Sequence, residues 1–247
     1  MANKLQILIP MGGLGQRFRD EGYTIPKPLI EVNGTRMFLR ALRSFDVIEC
    51  EKSLMFVVRK DAEDEYGLAT SIGEILPEAK VVILDHNTAG AAQTALVARG
   101  IINPEEPLVI MDCDFEFSSE EYFGYIRDII AGATYDGVLL GFTSDNPRYS
   151  YAKVGHDGFV SETAEKVVIS DCALWGAYCF ASGGLFMDYA DRMIAQGLSE
   201  THKEYYISYV YSEMIADGRK IRLAKADDFH SFGTPVELNG YLATHDD

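Results

Sequence analysis

Positive charge is what this chain has least of: 22 lysines and arginines face 38 aspartates and glutamates across 247 residues, a formal net charge of −16. A nucleic acid or an anionic membrane surface is gripped by a broad positive field, so both partner classes are excluded and any anion must be held by a local site. The surplus carboxylates read as solvated surface. Cysteine is also sparse. Cys50, Cys113, Cys172 and Cys179 show neither the paired spacing of a metal site nor a dense disulfide framework, and their mostly apolar neighbours in sequence predict buried thiols in a reducing compartment. No stretch approaches a membrane span and the first residues lack the long apolar segment of a secretion signal, so a cytoplasmic protein is expected. Repeats, low-complexity tracts and linker-like breaks in composition are missing too. With an apolar fraction of 47%, the chain is expected to bury a full core as one catalytic unit, its oligomeric state open.

What is present begins at the N-terminus. An apolar run over residues 5–10 opens directly into Met11-Gly12-Gly13-Leu14-Gly15-Gln16-Arg17-Phe18, and Pro26-Lys27-Pro28-Leu29 follows. A buried strand hands the chain to a glycine turn whose backbone can approach an anion closely and point N–H groups at phosphate oxygens. Met11, Gly12, Gly13 and Gly15 are therefore candidate nucleotide-binding residues, and Arg17 and Lys27 supply the cations. Two familiar loops are excluded. The dinucleotide fingerprint needs a third glycine where Phe18 stands, and a phosphate-binding P-loop needs a Gly-Lys-Ser/Thr that is absent.

Apolar runs at residues 54–58, 80–84, 107–111 and 137–142 alternate with longer polar-patterned segments, the rhythm of parallel strands joined by helices. The third run ends in Asp112-Cys113-Asp114, after which Ser118 with Glu121 is expected to cap a helix. Open α/β sheets bind ligands at the C-terminal ends of their strands, and two carboxylates there suit Mg²⁺ shared with phosphate oxygens. Gly90 and Ala91 open an alanine-rich helix against which a planar base can lie. Further on, a hairpin from 151–154 to 159–160, a strand over 173–180, helices around 185–194 and 205–216, and a strand near 221–224 are expected. Thr234, Pro235 and Glu237 predict the capped start of a closing helix.

The pattern Gly-x-Gly-x-Arg-Phe ending at Phe18, followed by Pro26-Lys27-Pro28-Leu29, resembles the signature of the nucleotidyltransferases that join a nucleoside triphosphate to a sugar phosphate or related phosphorylated acceptor. Further ordered matches lie at Asp112, in the segment 88–95, at Glu165-Lys166, at Gly176-Ala177-Tyr178-Cys179-Phe180 and at Phe232-Gly233-Thr234-Pro235, so that the likeness covers most of the chain. The resemblance implies an α/β fold with a mostly parallel mixed sheet flanked by helices, the Rossmann-like, glycosyltransferase-A-like architecture of nucleotide-diphospho-sugar transferases. It further implies a single domain over 1–247, with a nucleotide-binding part over about 1–145 and an acceptor-binding part over about 146–247. By the same resemblance Arg17 and Lys27 handle phosphates, Asp112 with Asp114 holds Mg²⁺, and Asp85 reads the base edge. Lys166 contacts the acceptor's phosphate, Glu165 its polar body, and Gly176 and Tyr178 lie on the strand beside it. An acidic acceptor at Asp85 tilts the base toward cytosine and its exocyclic amine, although uracil and thymine can donate through N3–H.

Two departures from that pattern stand out. The second metal carboxylate expected just ahead of Gly233-Thr234 falls on Ser231, with Asp228 the nearest acid. Tyr205-Tyr206 is aromatic where many sugar-handling relatives are more polar, and Arg148 is offered to an acidic substrate. The chain looks like the small bacterial enzymes associated with capsule or lipopolysaccharide precursors, with either a sugar 1-phosphate or an unusual small phosphorylated acceptor. The expected chemistry is in-line attack of the acceptor phosphate on the α-phosphorus with release of pyrophosphate. Its rivals are a metal-dependent glycosyltransferase, with Asp112-Cys113-Asp114 as its metal motif, and a non-catalytic nucleotide-sensing module of the same fold.

Overall fold

The computed structural model describes residues 4–199 and 203–245. The first strand, β1 (Lys4–Met11), is the expected apolar run, and its side chains alternate between two cores: Leu5, Ile7, Ile9 and Met11 enter one, Leu8 the other. Gln6 is buried among them, and its amide is fully used. It donates to the carbonyls of Asn103 at 2.9 Å and Glu106 at 3.1 Å and accepts from the Asn103 N–H at 2.7 Å, which is the condition for burying a polar group in a strand covered on both faces.

The glycine turn leads into the short α1 (Gln16–Asp20), a single tight turn (Lys27–Leu29), the ribbon β2 (Glu31–Val32) and β3 (Thr35–Arg36), and α2 (Met37–Arg43). Next come β4 (Glu51–Arg59), α3 (Lys60–Tyr66), α4 (Leu68–Ile75), β5 (Lys80–Leu84) and α5 (Ala91–Leu96). Then follow β6 (Leu108–Met111), β7 (Phe115–Ser118), α6 (Glu120–Ile130) and β8 (Gly137–Thr143). The remainder is β9 (Ser150–Val154), β10 (Val160–Glu165), β11 (Cys172–Phe180), α7 (Gly183–Ala195), α8 (Ile207–Ala216), β12 (Ile221–Lys225), β13 (Asp228–Ser231) and α9 (Pro235–Leu242).

A nine-stranded mixed sheet runs β10-β9-β11-β6-β1-β4-β5, with β8 on β11 and β12 on β8. β6, β1, β4 and β5 are parallel, as is β12 to β8, whereas β11 is antiparallel to β6, β8 and β9. The expected α/β architecture is thus present, with helices against both faces of the sheet and one apolar core on each. The chain builds outward from β1 through β4 to β5, then returns to lay β6 on the other side of β1. That reversal leaves a crevice between the C-terminal ends of β1 and β6, the place where an open α/β sheet receives its ligand.

Two local expectations are corrected. The helix cap is Ser119, whose hydroxyl accepts from the Tyr122 N–H at 3.1 Å, because Ser118 is consumed as the last residue of β7, paired opposite Asp228. Glu121 reaches the Lys225 N–H and the Tyr125 hydroxyl instead of closing a capping box. The helix expected from 205 begins at Ile207, since the Tyr205 backbone is bonded to the loop before α5. The closing helix is as expected, with the Thr234 hydroxyl accepting from the Glu237 N–H at 3.2 Å. All four cysteines are free thiols, three of them buried, and no described helix is long and apolar enough to cross a membrane.

Candidate active site

The crevice holds two adjoining lobes of about 360 Å³ and about 320 Å³. The first is floored by the turn after β1, with Met11, Gly12, Gly13 and Gly15, and walled by Gly90, Ala91 and Thr94 at the start of α5. The second is lined by Arg17, Arg148, Tyr149, Glu165, Gly176, Tyr178, Ser231 and Glu237. Lys27, Asp112 and Asp114 line both. Glu204 also lines the first lobe, and Phe115 the second.

Close approach of backbone builds the shared wall. A Cβ on Gly176 would stand 2.1 Å from Asp112 Oδ2, and one on Gly233 would stand 2.8 Å from Asp114 Oδ2, so each aspartate occupies space that only glycine leaves. Gly176 lies where β11 slips register against β8, between Leu174 and Tyr178, and its carbonyl accepts from the Asp112 N–H at 2.9 Å. Irregularities of this kind beside a site re-aim the residues next to them.

The electrostatics centre on one cation between two acids. Lys27 Nζ lies 2.6 Å from Asp114 Oδ2. Burial works against the ammonium, but Asp114, helped by Asp112, outweighs it and holds the lysine above its ordinary pKa. Asp112 opens onto the cleft yet is hemmed in by protein. That desolvation, with Asp114 adding like charge and Lys27 only partly compensating, pushes its carboxyl up to about 7. Cys113 between them is pushed up to about 12 by burial, which keeps it an inert thiol. Burial, then Asp112 and Glu165, likewise raise the Tyr178 phenol.

A divalent cation fits Asp112 best, since a carboxylate whose charge is poorly compensated gains most from one, with substrate phosphates completing the shell. Asp114 has one oxygen engaged by Lys27. The described residues contain no group of three or more potential ligands. For the second carboxylate, Asp228 is at the far end of β13 from the cleft and faces His230 at 3.2 Å. Ser231 does line the cleft, and its hydroxyl donates to Glu237 Oε2 at 3.0 Å. Glu237 thus brings a carboxylate to that corner, where Arg148 Nη2 donates to its Oε1 at 2.7 Å.

Other expected residues fall into place unevenly. Glu165 faces the second lobe and accepts from the hydroxyls of Ser208, at 2.8 Å, and Ser150. Arg17 is exposed and lines the second lobe alone. Lys166 is one residue beyond the lining, its ammonium donating to the Tyr206 hydroxyl at 2.5 Å. Asp85 is not brought into the first lobe. It is exposed and paired with His86 at 2.8 Å. Sequence reasoning missed Thr94, Glu204, Trp175 and Glu237 as lining residues; for Glu237 alone a signal existed, an acid three residues after Thr234 where Ser231 lacks one.

The folded chain is similar to several solved nucleotidyltransferase structures. The nucleoside-diphosphate-sugar pyrophosphorylase from Vibrio cholerae RC9 aligns at 24% identity with a TM-score of 0.80, over 96% of this chain and 100% of that one. A putative glucose-1-phosphate thymidylyltransferase from Bacillus anthracis, in complex with a sucrose, aligns at 18% identity and 0.75, over 97% and 94%. The inositol-1-phosphate CTP transferase from T. maritima aligns at 13% and 0.71, over 100% and 98%. At these identities the likeness establishes the fold, which is the one the sequence predicts. No family model matches the chain, and no curated protein matches it in sequence.

Proposed function

We propose that this protein is a nucleotidyltransferase, joining a nucleoside triphosphate to a small phosphorylated acceptor with release of pyrophosphate. The observation that carries the reading is the position of Lys27, Asp112 and Asp114 on the wall common to a glycine-floored lobe and a second lobe lined by two arginines, two glutamates and two tyrosines. An acceptor phosphate in the second lobe and a nucleotide in the first bring their reacting atoms together at that wall. An oxygen of the acceptor phosphate attacks the α-phosphorus, the new P–O bond forms as the bond to the β-phosphate oxygen breaks, and pyrophosphate leaves with the electron pair.

The acceptor phosphate is already ionised, so no strong general base is required, and the task is alignment and charge neutralisation. In this reading Lys27 lies against the phosphoryl group in transfer, Arg17 takes the β- and γ-phosphates as they pass Lys27, and Lys166 takes the incoming phosphate. Mg²⁺ at Asp112 would supply further neutralisation of the phosphates. With Asp85 outside the first lobe, the case for cytosine over uracil or thymine loses its residue, and the fold is shared by proteins named for thymidylyl and CTP transfer. Neighbours named for glucose-1-phosphate and inositol-1-phosphate support a sugar or polyol phosphate as the first acceptor class to try.

The test is pyrophosphate release with Mg²⁺ and each of CTP, UTP, dTTP, ATP and GTP, against sugar 1-phosphates, inositol 1-phosphate, phosphocholine, phosphorylated amino acids and phosphonates. Release that depends on one nucleotide and one acceptor together is expected. A folded protein that binds nucleotide and releases none across the panel would overturn transfer in favour of a binding module. Transfer from a nucleotide-sugar without pyrophosphate would support a glycosyltransferase.

A further inference from the structure

Lys166 leaves β10 in an unusual way. Its φ of +57° lies in the left-handed region, which a side-chain-bearing residue adopts only when its surroundings hold it there. The turn is pinned by its own N–H, which donates to the Tyr149 carbonyl at 3.1 Å. The side chain is carried to Tyr206, where the ammonium donates to the phenol oxygen at 2.5 Å and lies 4.6 Å from the ring centroid. The Tyr206 hydroxyl donates in turn to Glu204 Oε1 at 2.8 Å. Glu204 lines the first lobe, and Glu165, the residue before Lys166, lines the second.

Tyr206 is itself held from two sides. Next to it, the Tyr205 N–H donates to the Ala89 carbonyl at 2.7 Å and the Tyr205 carbonyl accepts from the Ala92 N–H at 2.9 Å, docking the segment on the loop that opens α5. The fit depends on Gly90, where a Cβ would stand 2.5 Å from the Tyr205 nitrogen. On the other side, α8 is tied to β10 by Ser208 on Glu165 and by the hydroxyl pair Thr163 and Ser212 at 2.7 Å.

We propose that Tyr206 is a positioning residue for Lys166, holding the ammonium at the margin of the second lobe, next in sequence to Glu165, so that the acceptor phosphate meets a cation already in place. The proposal rests on the nucleotidyl-transfer reading. A free lysine side chain samples many rotamers, and holding it beforehand removes that cost from acceptor binding. In the same reading the nucleotide is held by the glycine turn and the start of α5, and the phenol, which reaches the first lobe only through Glu204, contributes less to it than to the acceptor side.

Two measurements on the full chain test this with Tyr206→Phe, which keeps the ring, and Tyr206→Ala. In the first, lysine acylation is followed by mass spectrometry on protein without ligand. Lys166 is expected to react roughly tenfold faster in both variants, because the hydrogen bond that keeps it a held ammonium is gone, while Lys153 and Lys225 are unchanged. Equal Lys166 rates in wild type and variants overturn the proposal whatever the protein catalyses. In the second, the nucleotide and acceptor selected by the panel are used for kinetics. The acceptor KM is expected to rise roughly tenfold in Tyr206→Phe, with the nucleotide KM within about twofold. An unchanged acceptor KM, or an equal rise in both, overturns it. A panel silent with wild-type protein removes the reaction and with it the acceptor role of this pair, while the acylation rates still decide whether Tyr206 holds Lys166.

Discussion

Lys27 is the side chain on which both lobes converge, and its surroundings explain why it can stay charged in a half-buried place. Asp114 at 2.6 Å offsets the cost of burial, and Asp112 contributes further. The pair is also what the proposed reaction requires, a fixed cation facing the phosphates from a wall that does not reorganise during transfer. Replacing Lys27 with alanine is expected to lower turnover by about 10²–10³ while the circular dichroism spectrum stays native. Full turnover in a folded Lys27→Ala variant would remove Lys27 from the chemistry. At this scale the sequence was readable where a residue's neighbours in the chain are also its neighbours in space. Met11, Gly12, Gly13 and Gly15, with Asp112 and Asp114, meet that condition and line the cleft. Asp228 does not, because the pairing of β13 with β7 decides where it lies, and Asp85 stays exposed beside its neighbour His86, outside the first lobe.

Single side chains also set the joints between elements. α4 begins at Gly67, which has no side chain to cap it, and the missing acceptor comes from the preceding helix. Glu63 of α3 accepts from the Ala69 N–H at 2.6 Å, the Thr70 N–H at 3.1 Å and the Thr70 hydroxyl at 2.6 Å. The Thr70 hydroxyl, followed by these backbone donors, lowers the Glu63 pKa below the ordinary glutamate value. A carboxyl depressed in the folded state contributes stability above its unfolded pKa and loses it as pH falls through the folded one. Glu63→Gln is therefore expected to lower the melting temperature at pH 7, with the gap to wild type closing below about pH 4. A gap that is constant from pH 7 to pH 3 would show that the charge of Glu63 is not what caps α4. Elements were legible from periodicity when they were long and buried, as β1, β4, β8 and β11 are. β7 and β13 alternate over only four residues each, too few for a pattern, and they become strands because they pair with each other.

Across the whole molecule, the C-terminal helix α9 carries Glu237 into a cleft built mostly from the first two thirds of the chain, so its seating matters to the site. Arg40 of α2 provides that seating. It donates to both oxygens of Glu116 on β7, at 2.8 and 2.9 Å, and to the Tyr241 hydroxyl on α9 at 2.5 Å, and it lies almost wholly buried. Removing one partner of a buried ion pair leaves the other charge without compensation. Arg40→Ala is expected to cost about 3 kcal/mol in urea unfolding. A loss below about 1 kcal/mol would place this network among ordinary surface pairs.

The sequence by itself determined the α/β class, the glycine turn after the first strand, the acidic pair at the end of β6 and the capped start of α9, because each is written in contiguous residues whose backbone preferences and burial act locally. Only the folded arrangement decided that Gly176 and Gly233 make room for Asp112 and Asp114, that Arg148 reaches Glu237, and that Tyr206 receives Lys166. Those are contacts between segments far apart in the chain. They exist only once sheet order, strand register and the β11 irregularity bring the segments within a few ångströms, and no local propensity encodes that distance.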